Sequence, residues 1–349
     1  MKLFTKCFLL LVAVAMVFTL AGCGGGTTPP ASQAATVAPT TAAPATTAPA
    51  ENKLIKVGFA QCKADESDWR KANTKSVQEA LSKENGFELI LADSNNDAAK
   101  QVADVQGFID QEVDYIVVAA VNSDGWDTVL GNAKTAGIPV ILMDRTIKAP
   151  EDLYVCWVGG GFYNEGVKAT DWISKRFPDA TKTVNIVNLQ GQLGASAQEG
   201  RSKALDDGIT KNSNWKLLAR QTGDWSTPKA KEVMASWIKQ YGDKIDCVYA
   251  ENDNMADGAI QALKEAGKKV GGKDGVAIIS FDANRAYLQK TLEGDINCNV
   301  ECNPLLGPKV AEILKKLQGG GTPEKKESID ETAFYYDTIT QAIIDARPY

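Results

Sequence analysis

Polar residues that could hold a small polyhydroxylated molecule recur at one kind of position, immediately after short apolar runs. Gln61 leads into the loop Asp65-Glu66-Ser67-Asp68-Trp69-Arg70, and Asp93, Asp144-Arg145, Gln190, Asn252-Asp253 and Asp282 close later runs. Carboxylates accept hydrogen bonds, guanidinium forks donate two at once, and an indole offers a flat apolar face. These types together suit neighbouring hydroxyls on a ring whose C–H groups need an apolar surface. Helix N-caps draw on the same Asp, Asn and Ser residues, so any single position also has a purely structural use.

Other chemistries are poorly supplied. The chain has no histidine, which removes Ser-His-Asp and Cys-His nucleophiles and histidine metal sites. Gly267-Lys-Lys-Val-Gly-Gly-Lys273 has phosphate-loop spacing up to Asp274, where Ser or Thr is required, and it precedes a strand-like run instead of a helix. Asp144 and Asp282 could be imagined as a glycosidase pair, yet nothing in the sequence gives them a raised pKa or the ~5–10 Å separation that chemistry needs. The reading is a binding protein, not an enzyme, with no cofactor and no metal. With 38 Lys and Arg against 44 Asp and Glu, a net charge of −6 and no basic run, nucleic acid is not an expected partner.

The elements that must position these residues follow from hydrophobic periodicity. Apolar strand-like runs span 56–61, 87–93, 115–121 and 139–144, with helix-period segments at 68–85, 98–111 and 125–136 between them. After a connector the alternation restarts, with strands at 184–190, 216–222, 247–252 and 276–282 and helices at 197–211, 228–241 and 254–266. Strand–helix alternation with continuously apolar strands predicts an α/β fold of two doubly wound parallel-sheet lobes. In such sheets ligands bind beyond the carboxyl ends of the strands, where the polar residues named above stand.

Residues 1–22 read as a lipoprotein signal peptide. Lys2 and Lys6 precede an apolar run of about 15 residues, shorter than the ~20 a membrane span needs, and the run ends in Leu20-Ala21-Gly22-Cys23. That ending resembles a lipobox, which implies acylation of Cys23 and a lipid anchor on the extracytoplasmic face of a bacterial cell membrane. Residues 23–52 read as a Thr/Pro/Ala-rich tether, too poor in apolar side chains to offset its ordering entropy. Beyond Cys7 and Cys23 remain Cys62, Cys156, Cys247, Cys298 and Cys302, without zinc-type spacing and set in or beside apolar runs, so buried free thiols are expected.

Several segments in order carry a resemblance. Lys56-Val-Gly-Phe-Ala-Gln61, Pro139-Val-Ile-Leu-Met-Asp-Arg145, Gln190-Gly-Gln-Leu-Gly-Ala-Ser196 through Arg201, Tyr249-Ala-Glu-Asn-Asp-Asn-Met255 and Ser280-Phe-Asp282 resemble the type I periplasmic-binding-protein family, in its ribose- and galactofuranose-binding branch. The resemblance implies a monomer that captures a monosaccharide or short oligosaccharide between two lobes and delivers it to an ABC import permease. A sensor presenting bound sugar to a membrane receptor or histidine kinase is the alternative. It implies a three-segment hinge near 158–160, 302–303 and 331–333, an N-terminal lobe of 53–158 plus 303–331, and a C-terminal lobe of 159–302 plus 332–349, with a helix at 304–318. By the same resemblance Glu66, Ser67, Trp69, Arg70, Asp144 and Arg145 surround the sugar from the first lobe, and Arg201, Trp225, Asn252 and Asp282 from the second. Asp144 and Asp282 would accept from hydroxyls and be replaceable by alanine without loss of thermal stability; Trp69 and Trp225 would stack on the ring. Ala119 stands where ribose-type members carry Asn, and Cys302 near their Gln, which implies a ligand other than ribose.

Overall fold

The computed structural model describes residues 53–349. The signal peptide, Cys23 and the whole tether lie outside the described residues. In chain order the first part runs β1 (Ile55–Gln61), α1 (Asp68–Ala80), β2 (Phe87–Asp93), α2 (Ala98–Asp110), β3 (Tyr115–Val118), α3 (Asp127–Thr135), β4 (Val140–Met143) and β5 (Cys156–Gly159). The second runs α4 (Phe162–Arg176), β6 (Val184–Gln190), α5 (Ser196–Lys211), β7 (Trp215–Thr222), α6 (Thr227–Tyr241), β8 (Cys247–Ala250), α7 (Asp253–Glu265), β9 (Ala277–Asp282), α8 (Arg285–Leu292) and β10 (Cys298–Glu301). Then follow α9 (Gly307–Gln318), β11 (Lys326–Ser328), β12 (Ala333–Tyr335) and α10 (Gln341–Asp345).

Two sheets of six strands result, ordered β11-β5-β4-β3-β1-β2 and β12-β10-β9-β8-β6-β7. Each lobe is thus a doubly wound α/β layer, as the alternation predicts. Each sheet is buried on both faces. Along β3, Tyr115 and Val117 pack into one apolar cluster, while Ile116 and Val118 pack into the other, the period-2 alternation of a covered strand.

The chain passes between the sheets three times, through residues 160–161, 302–306 and 329–332. The second passage returns α9 to the first lobe, where it packs on α1. β10 runs toward the cleft and β12 starts from it, so β12 must run antiparallel to β10, unlike every other pairing in the two sheets.

Some boundaries differ from the periodic reading for local reasons. The strand at 115–121 stops at Val118, because buried Gln101 takes over its backbone partners: its Nε2 donates to Ala60 O (3.2 Å) and Ala119 O (2.9 Å), and its Oε1 accepts from Val121 N (2.7 Å). β4 ends at Met143, since Asp144 turns into the left-handed region (φ 63°). The helix read to 85 ends at Ala80, followed by a separate 3-10 turn at Lys83–Asn85 closed by Gly86. The connector before 184 is not structureless: it carries β5 and α4, whose start behind three glycines hid the helical signal. All five cysteines among the described residues are free and buried. No helix among those residues is long and apolar enough to cross a membrane.

Candidate functional site

The carboxyl ends of both sheets face one cleft, and all ten residues named from the sequence line its floor and walls. The space left between them in this closed state is small, about 30 Å³, room for a water or two.

The first-lobe wall is built around the start of α1. Ser67 caps the helix by accepting from the Arg70 backbone N–H (3.1 Å), which fixes the turn carrying Trp69 and Arg70. Arg70 then donates through Nη2 to Asp144 Oδ2 (2.6 Å), through Nε to Glu66 Oε1 (3.2 Å) and through Nη1 to Asn73 Oδ1 (3.3 Å). Arg145 donates to the same Glu66 Oε1 (2.6 Å) and to Ala120 O (3.2 Å). Burial would push Glu66 up; Arg145 and Arg70 more than offset it and hold its carboxyl below the usual range. Trp69 is pinned by its indole N–H on Cys302 O (2.6 Å), with the Arg70 guanidinium 4.5 Å from its ring centre.

The second-lobe wall repeats the plan with different charge. Arg201, on α5, donates to Glu165 Oε2 from Nε (2.8 Å) and Nη2 (2.7 Å) and to the Glu251 carbonyl, and its Nη2 lies 3.5 Å from Asp282 Oδ1. Asn252 caps α7 through Oδ1, accepting from Met255 N–H (2.9 Å), so its amide –NH2 is what remains for a ligand. Trp225 reaches the cleft across Gly191: a Cβ there would fall 1.9 Å from the indole. Desolvation pushes Asp282 well above the carboxylate range, against the opposing pull of Arg201. Behind the wall, burial lifts Glu251 to about 7 although Ser202, the Gly191 N–H and Asn188 all donate to it.

Three buried polar atoms of the lining have no partner in the chain: Glu66 Oε2, Arg145 Nε and Trp225 Nε1. Leaving a buried donor or acceptor unmatched costs about 1–3 kcal/mol, so a partner supplied from outside the chain would stabilise this lining. Asp144, Trp225 and Asp282 hold φ values of 63°, 59° and 97°, a backbone strain that clusters at ligand sites.

Sequence reasoning missed Phe162, Ala197 and Cys302 in the lining. Phe162 opens α4 and Cys302 follows β10, two elements the periodicity did not reveal. Ala197 lies in the first turn of α5, whose N-terminus faces the cleft. The lobes meet on both flanks. Asp68 N–H donates to Asn254 Oδ1 (3.2 Å), and Asp68 Oδ2 accepts from Asn254 Nδ2 (3.1 Å) and Tyr287 OH (3.2 Å). On the other flank, Thr146 N–H donates to Ser196 Oγ (2.9 Å), and Lys148 pairs with Glu199 (3.0 Å). This is a closed arrangement.

A periplasmic binding protein domain matches residues 57–322. The chain belongs to that family. It is 37% identical over 293 residues to the galactofuranose-binding protein YtfQ of Escherichia coli (strain K12), covering 83% of this chain and 90% of the relative. A Mycobacterium smegmatis crystal structure in complex with β-D-fucofuranose superposes with a TM-score of 0.77 at 38% identity, over 84% of this chain and 93% of that one. The periplasmic binding protein of the arabinose ABC transporter from Shewanella sp. ANA-3, bound to α- and β-L-arabinofuranose, gives 0.78 at 34% identity, over 84% and 95%.

Proposed function

We propose that this chain is the extracytoplasmic solute-binding component of an ABC importer and captures one neutral monosaccharide, in its furanose form, between its lobes. The observation that carries this reading is the doubled arginine–aspartate arrangement facing one small cleft, with Glu66 Oε2, Arg145 Nε and Trp225 Nε1 unmatched beside two indoles. A single five-membered ring suits so small a cleft better than an oligosaccharide, and the furanoses held by the two similar structures support that ring form. Glu66, Arg70, Asp144 and Arg145 would bind hydroxyls from the N-terminal lobe (53–158 plus 303–331). Arg201, Asn252 and Asp282 would do so from the C-terminal lobe (159–302 plus 332–349), with Ser67 at the rim and Trp69 and Trp225 on the ring faces. The bound sugar passes to a membrane permease when the lobes open. No reacting group is assigned, and the site works by binding alone.

Calorimetry of the purified protein against D-galactose, D-fucose, L-arabinose, D-ribose, D-fructose and a panel of amino acids and nucleotides tests the reading. A sugar bound at micromolar Kd or tighter is expected, about −8 kcal/mol or more favourable. Silence from every sugar alongside binding of an amino acid or nucleotide overturns it.

The Leu20-Ala21-Gly22-Cys23 ending supports a lipid anchor on Cys23, with residues 24–52 as the tether to the membrane. Cys23→Ala is expected to release the protein from the membrane fraction or to stall its processing. Retention with an unchanged mature mass would refute the anchor.

A further inference from the structure

Glu331 sits in the third passage between the lobes and touches the other two. Its Oε1 accepts the Asn303 backbone N–H (2.9 Å) in the second passage. In the first, Gly160 leaves room for the carboxyl: a Cβ there would lie 2.1 Å from Oε1 and 2.2 Å from Oε2. The Glu331 backbone carbonyl takes Lys168 Nζ from α4. One side chain thus knots all three strands of the hinge.

Facing it is Glu165 on α4, fully buried. Glu165 Oε2 is held by Arg201, but its Oε1 is buried with no donor in the chain. Side-chain oxygens of Glu165 and Glu331 and the Cys302 sulfur lie within 4.8 Å of one another. Two carboxylates so close cannot both stay ionised without a donor between them, and a single proton is the smallest group that provides one.

We propose that Glu165 and Glu331 share one proton in the closed protein, making them positioning residues that tie the hinge to Arg201 of the sugar site. The proton forms an O–H···O bond from one carboxyl to the other, and no other bond changes. The groups facing the pair are Lys168 from α4, Arg201 from α5, Tyr249 of β8 and Cys302 beyond β10, with Asp282 of β9 on the far side of Arg201. Burial pushes Glu331 up to about 9, with Glu165's charge adding to the shift. Unfolding parts the pair and opening of the hinge lets water reach it, so folding takes up the proton and closure tightens its hold. The contribution is therefore complete at low pH and is lost as pH rises toward 9.

The test compares the parent with Glu331→Gln and Glu331→Ala from pH 6 to 9. Glutamine keeps an oxygen for the Asn303 N–H and an amide donor for Glu165 at every pH; alanine keeps neither. The thermal midpoint of the sugar-free parent should fall as pH rises relative to Glu331→Gln, and Glu331→Ala should lie below both. The infrared carboxylic-acid band of the parent should titrate away over the same range, leaving a difference spectrum against Glu331→Gln. Glu251, Asp253 and Asp282 also titrate high, and subtracting Glu331→Gln removes their shared contribution.

These readouts need no ligand and stand apart from the functional reading above, on which only the coupling to sugar rests. With L-arabinose as probe, affinity should drop at least threefold more between pH 6.5 and 8.5 in the parent than in Glu331→Gln. Superimposable pH profiles for parent and Glu331→Gln overturn the proposal. So does a stoichiometric divalent cation on the purified parent that Glu331→Gln loses. Should the glutamine variant not fold, the parent-minus-Glu331→Ala infrared difference decides, and absence of a titrating band in that difference refutes the shared proton.

Discussion

The two lobes present the same device with opposite electrostatics. In each, an arginine from the lobe's first helix after its first strand is aimed at an aspartate at the carboxyl end of the fourth strand: Arg70 at Asp144 (2.6 Å), and Arg201 at Asp282 (3.5 Å). In each, a glutamine ends the first strand and binds that helix, Gln61 to Asn73 and Thr74, and Gln190 to Ser202. The first-lobe wall balances Arg70 and Arg145 against Glu66 and Asp144. The second sets Arg201 alone against Glu165 and Asp282, with Glu251 and Asp253 behind. Glu66 is consequently held below its usual range, while Glu251, Asp253 and Asp282 are raised. The first wall favours the ionised form of Glu66, and burial in the second favours the protonated form of Glu251, Asp253 and Asp282. Topology sets where a site's groups stand, and the count of compensating charges sets how they behave.

The largest expected effect separates the two aspartates. Asp144→Ala removes the shortest partner of a buried guanidinium, and breaking such a pair costs about 3–5 kcal/mol. We expect both loss of sugar binding and a thermal midpoint several degrees lower in the sugar-free protein. For Asp144 this differs from the sequence expectation of a nearly unchanged midpoint, because of the Arg70 pair, and the thermal scan decides between them. Asp282→Ala leaves Arg201 its two bonds to Glu165. It should weaken binding by about 1–3 kcal/mol, roughly 5–150-fold, through an unmatched sugar hydroxyl, with the midpoint near the parent's. Equal thermal losses in the two variants would break the comparison.

A smaller effect belongs to the flank. Asp68→Ala removes the side chain that accepts from Asn254 and Tyr287 across the closed cleft and lies outside the sugar-lining set. At about 0.5–1.5 kcal/mol net per hydrogen bond, it should raise the sugar dissociation rate severalfold in stopped-flow measurements. Small-angle scattering should show a less compact sugar-free protein. An unchanged dissociation rate would mean that this flank does not help to hold the lobes closed.

Much of this was legible in the sequence because the parallel sheets repeat a strong signal. Most of the strands are apolar runs, and Asp144-Arg145, Asn252 and Asp282 at their ends stand at the cleft by topology, whereas Asp93 at the end of edge strand β2 does not line it. The pairing within the site was not legible. Ser67 and Asn252 are at once caps and lining, and only geometry shows that one oxygen of each is committed to a helix end. Glu165 could not be found because α4 begins within a glycine run, and its partner Glu331 is 166 residues away in a short passage with no periodicity. β10, β11 and β12 are three or four residues long, too short for a pattern to register.

The five buried thiols have a practical consequence. Burial pushes Cys62 and Cys156 up to about 11 and raises Cys247, Cys298 and Cys302 as well. The thiolate is the reactive form, so in the closed state none of the five competes for a maleimide or a similar label. A single cysteine introduced on the outer surface of each lobe would therefore take a fluorophore selectively. The distance between two such dyes would turn the chain into an optical gauge of its own closure, read in real time as sugar is added.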